Sequence, residues 1–157
     1  MMKQNQHPNV IYILADDMGY GDFGIFSDGS ARTPNLDRLV RQGCAMSHCY
    51  AASPVCAPAR AALLTGRYPH RTGAVDTYEA IGGDRMALRE VTLADVYRAN
   101  GYRTGLIGKW HLGLIGKEYH PAAGALTPSS GSAAAGVIIT NTNWIATEFW
   151  KPLTAPI

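Results

Sequence analysis

Two short strand-like segments, the first of them a continuous apolar run and each followed by charged residues, constrain this chain most. Val10 to Ala15 stops at Asp16-Asp17, and Tyr102 to Ile107 stops at Gly108-Lys109-Trp110-His111. Runs of this length suit strands covered on both faces better than helices. Helical signals separate them, and strands alternating with helices predict an α/β fold with a mostly parallel sheet. Ligands in such sheets gather beyond the carboxyl ends of the strands. Asp16, Asp17, Lys109 and His111 are therefore expected near one another, although more than ninety positions separate the pairs.

Punctuation along the chain places the other elements. Gly19, Gly21, Gly24 and Gly29 mark a loop. Thr33 reads as an N-cap with Pro34 at the first helical position; Leu36, Leu39 and Val40 follow at helical spacing, and Gly43 ends the helix. Residues 44–51 read as a short strand. Its Cys44 and Cys49 point to opposite faces and act as small buried hydrophobes. Pro58 can open a second helix that Gly66 closes, and residues 67–86 read as loop. Thr92 caps a third helix, with Leu93, Val96 and Tyr97 on one face, and Asn100-Gly101 stops it. Ala122 to Gly136 reads as low-complexity loop, Val137 to Thr140 as a possible strand, and Trp144, Phe149 and Trp150 find no clear partner.

Composition excludes several classes. A chain of 157 residues is about one domain, and 46% hydrophobic against 17% charged residues suits a globular soluble protein. A net charge of +2 is too small to argue for nucleic acid or an anionic membrane. The start, Met1 to Asn9, is polar, and neither a signal peptide nor a long apolar span is visible. A cytoplasmic location is expected, or a periplasmic or secreted one if a leader is missing. The three cysteines, Cys44, Cys49 and Cys56, do not have metal-knuckle spacing.

Cys56 has the richest surroundings. It precedes a helix start, where the positive end of the helix favours an oxyanion. Pro58 is tolerated in a first helical turn. Arg60 lies about one turn along and can reach back toward position 56. The run Cys56-Ala-Pro58-Ala-Arg60-Ala-Ala-Leu-Leu-Thr65-Gly66 resembles the sulfatase signature. Gly101-Tyr-Arg-Thr-Gly-Leu-Ile-Gly-Lys109-Trp-His111 is similar to the second signature of that family, and Asn9 to Asp22 to its metal-binding opening. Thr33 to Leu39 and Thr65 to Arg71 also read as the family does. The resemblance covers roughly residues 9–120, in order.

The resemblance implies a partial alkaline-phosphatase-like sandwich, its sheet flanked by helices and incomplete at the C-terminal end. It implies a sulfuric ester hydrolase acting on a small sulfated ester. Asp16 and Asp17, together with the residue at 56, match the ligands of a divalent cation, calcium with magnesium as the alternative; paired carboxylates suit such an ion. Cys56 matches the cysteine that a maturation enzyme oxidises to formylglycine. Arg60 matches the residue that holds the formylglycine oxygens, and Lys109 and His111 the pair that contacts the sulfate ester. His70 reads as structural, His120 is left unassigned, and His7 and His48 carry no motif.

The pattern fades at His120-Pro121. The family's remaining metal ligands and a second Lys and His lie downstream, but no aspartate follows Asp95 here. Residues 121–157 hold only two charged groups, Glu148 and Lys151. We therefore expect residues 1–120 to be the N-terminal part of a catalytic domain. Residues 121–157 are expected to be an atypical Ala/Gly/Ser/Pro-rich tail, either disordered or the product of truncation or a frameshift. Two alternatives stand beside a sulfatase: a phosphonate or phosphate monoester hydrolase of the same superfamily, and a non-catalytic remnant or interaction domain.

Overall fold

A computed structural model describes residues 8–113, 115–121, 127–129 and 135–140. Four strands form one sheet: β1 (Val10–Leu14), β2 (Arg103–Ile107), β3 (Thr127–Ser129) and β4 (Ala135–Thr140), in spatial order β1-β4-β2-β3. Four helices accompany it: α1 (Pro34–Gln42), α2 (Cys56–Thr65), α3 (Pro69–Thr72) and α4 (Leu93–Ala99).

The sheet is mixed rather than mostly parallel. β4 runs antiparallel to both β1 and β2, and only β2 and β3 pair in parallel. The physical reason is that β4 lies between β1 and β2 and satisfies the backbone of both. Its register still delivers the expected juxtaposition. Leu14 lies opposite Ala135 and Ile107 opposite Gly136, so β1 and β2 end at the same edge of the sheet. Asp16 and Lys109 each follow two residues later.

Local chemistry explains the helices. Pro34 opens α1 after Thr33, as read, although the Thr33 hydroxyl caps no amide of its own helix: it donates to the Asp37 carboxylate and accepts from the Gly24 backbone N–H. α2 is alanine-rich, carries Pro58 in its first turn, and ends at Gly66 in the left-handed region (φ 66°). Thr92 and Asp95 form a reciprocal capping box on α4. Residues 67–86, read as loop, contain α3 and a 3-10 turn at Glu79–Ile81. Pro69 at the first position and Gly73 (φ 91°) beyond the last bracket that short helix.

The core is small. Ala57, Ala61, Leu64, Ala74, Met86, Ala94, Leu106 and Leu112 form it, and Val10, Tyr12, Tyr97, Tyr102 and Trp110 pack against it. Ala57 and Ala61 are completely buried, which lets α2 sit close to its neighbours. On α4 the buried residue is Ala94, while Val96, expected to face inward, is exposed.

Two readings of burial are corrected. β1 is covered on one face only: Ile11 and Ile13 are 66% and 72% exposed, because among the described residues nothing packs on that side. Residues 44–51 form no strand, and Cys44 and Cys49 are exposed, as are Met46 and Tyr50. No strand pairs with this segment among the described residues, so its apolar side chains have nothing to pack on. Part of the 122–136 stretch, read as loop, supplies β3 and the start of β4, and β4 includes the expected strand at Val137 to Thr140. The polar start with His7, together with Trp144, Glu148, Phe149, Trp150 and Lys151, lies outside the described residues. No described helix is long and apolar enough to cross a membrane.

This packing predicts opposite outcomes for two substitutions. Ala61→Leu forces extra volume into a filled site and should cost about 1–3 kcal/mol in denaturant unfolding. Ile13→Thr, at an exposed strand position, should change stability by less than about 0.5 kcal/mol.

Candidate active site at the carboxyl ends of two strands

Three chain segments meet at the sheet edge. Asp16 follows β1, Cys56 opens α2, and Lys109 follows β2. The Lys109 ammonium donates to the Asp16 carboxylate at 3.1 Å and to the Cys56 sulfur at 3.4 Å. Arg60, buried on α2, donates from Nη2 to the other Asp16 oxygen at 2.8 Å and from Nη1 to the Lys109 carbonyl at 2.9 Å. One carboxylate is thus shared by two cations from two different elements.

Asp17 joins the cluster. One ligand atom each from Asp16, Asp17 and Cys56 lies within 4.8 Å of the others. Two carboxylates beside a third donor suit a hard cation that takes oxygen ligands, and they supply part of the six to eight such an ion accepts. Among the described residues, Asp17 (φ 56°) and His111 (φ 55°) are the only non-glycine residues at positive φ. Backbone strain of this kind tends to persist where surrounding structure enforces it, often at functional sites.

His111 lies beside the cluster rather than within its hydrogen-bond network. Its Nδ1 is buried without a partner, and the residue lines a cavity together with Lys109. Leu112, 1% exposed, anchors the loop that carries both residues. The Arg60 guanidinium reaches the Asp16 carboxylate and the Lys109 carbonyl. Its Nε remains buried and unpartnered.

Two features carried no motif signal. Glu90 is buried and accepts both contacts of Arg67, at 2.6 and 2.8 Å, fixing the segment that leaves α2. Asp84 is 1% exposed, and neither of its oxygens has a hydrogen-bond partner. It lies in the stretch whose lack of periodicity made it read as loop. His48 shares a hydrogen bond with its neighbour Ser47, and His70 stacks on Tyr68.

Electrostatics follow the geometry. The hydrogen bond from Lys109 does most to hold the Asp16 carboxyl below its ordinary 3.8; burial opposes it, and the nearby Arg60 adds to the lowering. Asp16 first, then Cys56, hold the Lys109 ammonium above its ordinary 10.5. A depressed carboxyl stabilises the fold above 3.8 and loses that contribution as pH falls through the lower folded value. A raised ammonium contributes below 10.5 and loses its contribution as pH rises through the higher folded value.

Known proteins are similar to the part of the chain that holds this cluster. The chain matches the family model described as Sulfatase over residues 8–133. It is 45% identical to human Arylsulfatase H over 132 residues, 76% of this chain and 24% of that protein. It is 48% identical to human Arylsulfatase A over 110 residues, 68% of this chain and 21% of that protein. A crystal structure of Ps i-CgsB in complex with k-i-k-neocarrahexaose superimposes with a TM-score of 0.69 at 39% identity, covering 74% of this chain and 26% of that one. The chain therefore spans about a quarter of the length of these relatives. The expectation of a cytoplasmic protein is overturned, since similar sulfatases such as Arylsulfatase A and steryl-sulfatase are lysosomal or ER-lumenal proteins of the secretory pathway.

Asp16→Asn should lower the melting temperature by a small, measurable amount at neutral pH, because the pair is partly exposed. The gap to the unsubstituted chain should shrink below pH 3.8 and again above pH 10.5. Thermal melts followed by circular dichroism across this range check it; a gap that is constant at all pH values contradicts the assignment.

Proposed function

The chain belongs to the sulfatase family, and we propose that it carries the nucleophile, part of the cation site and the sulfate-facing cations of a sulfuric ester hydrolase. The observation that supports this most is the Lys109 ammonium held between Cys56 and Asp16. Asp16 and Asp17, with the residue at 56, would hold a divalent cation, most simply calcium. Such an ion would supply a fixed positive charge that makes a bound hydroxyl easier to deprotonate. Conversion of Cys56 to formylglycine by a maturation enzyme would supply an aldehyde hydrate, one of whose hydroxyls attacks sulfur while the other permits release of sulfate.

The remaining roles belong to this chain's own side chains. Lys109 sets a positive charge where negative charge grows on the sulfate oxygens. Arg60 holds Asp16 with one nitrogen and the Lys109 backbone with another, so it fixes both partners at once. His111, which lines the cavity with Lys109, is the candidate proton donor to the leaving oxygen. The substrate is a small sulfated ester.

Phenyl sulfate should bind the calcium-loaded chain in competition with inorganic sulfate. Lys109→Met should weaken it roughly tenfold or more, since a charge-assisted hydrogen bond is removed. Chain matured at Cys56 should release phenol slowly, and Cys56→Ala should abolish that release. Binding indifferent to Lys109 contradicts the reading. Displacement of phenyl sulfate by a lower concentration of a phenylphosphonate ester would instead favour a phosphonate hydrolase.

A further inference from the structure

Beside the Cys56 centre lies a cavity of about 440 Å³ that the cluster itself does not fill. Lys109 and His111 line its side nearest the cluster; Glu79, Asp84, Trp110 and His120 line the rest. Asp84 is the anomaly. Its carboxyl group is buried, borders the cavity and accepts no hydrogen bond. A buried acceptor without a donor is costly, and native structures rarely keep one without a purpose.

The nearby cations do not supply the donor. Lys109 is committed to Asp16 and Cys56, and Arg60 to Asp16 and the Lys109 carbonyl. Arg85, next in sequence, lies over the Tyr119 ring at 5.6 Å. The remaining wall is suited to a ring-shaped guest. Trp110 is fixed by the hydrogen bond from its indole nitrogen to the Tyr119 carbonyl at 2.9 Å, which presents a rigid apolar surface. Glu79, exposed at the rim, adds a second acceptor.

Resting on the sulfatase reading of the adjoining cluster, we propose that this cavity receives the alcohol half of the ester and that this half is a sugar. A sugar ring offers several hydroxyl donors for Asp84 and Glu79 and an apolar face for Trp110. A flat aryl group offers the face but no donors, and would leave the Asp84 oxygens unpaired. Sites built to bond a hydroxyl discriminate strongly against partners that lack it. Asp84 is then a specificity residue, separate from the groups that act on sulfur.

The test titrates the calcium-loaded 157-residue chain with glucose 6-sulfate, phenyl sulfate and unsulfated glucose, followed by NMR. Glucose 6-sulfate should bind roughly tenfold or more tightly than phenyl sulfate. Asp84→Asn should collapse that ratio, and Glu79→Gln, at an exposed position that folding tolerates, should reduce it in part. Phenyl sulfate binding as tightly as glucose 6-sulfate, or a ratio indifferent to both substitutions, overturns the proposal while leaving the sulfatase reading intact. Glucose binding that needs Asp84, with no preference for glucose 6-sulfate over glucose, supports the sugar cavity and refutes the sulfate reading. Binding of none of the three overturns both.

Discussion

Asp16 shared between Arg60 and Lys109 is the contact on which the site depends. The three residues come from the end of β1, the first turns of α2 and the end of β2, elements far apart in sequence. Arg60 is buried on the helix side and closes the link through the Lys109 backbone as well. Asp16 and Lys109 are each about one-third exposed, so their mutual attraction is modest. The arrangement matters for position more than for stability. It holds an ammonium group against Cys56 and leaves Asp17 beside them.

The fold serves that arrangement economically. A single mixed sheet brings two strand ends to one edge, and β4 between them sets their spacing through its register. Buried alanines bring α2 close to its neighbours, and the left-handed Gly66 ends that helix before Arg67 turns to meet Glu90. Leu112 pins the Lys109 loop from below. A small core thus positions a densely charged edge.

Much of this was legible in the sequence. The apolar run before Asp16-Asp17 and the short strand-like segment before Lys109 to His111 announced both strands and their shared edge. Proline and glycine marked α1 and α2, and Thr92 marked α4. What stayed hidden was of two kinds. Periodicity cannot show which face of β1 lacks a partner, so Ile11 and Ile13 read as buried; nor can it show that β4 would enter the sheet antiparallel. Asp84 sits in a stretch with no period and no motif, so only its burial beside a cavity marks it. The strand expected at 44–51 failed because apolar content alone does not supply a neighbouring strand to pair with.

The central claim is that Cys56 is the precursor of the nucleophile. Peptide mass spectrometry across Cys56, after co-expression with a formylglycine-generating enzyme, tests it most directly. Exchange of the thiol for a carbonyl oxygen lowers the peptide mass by about 18 Da. Conversion at Cys56, with Cys44 and Cys49 untouched, is the predicted result. An unmodified Cys56 in the presence of an enzyme that converts a control peptide would contradict the account.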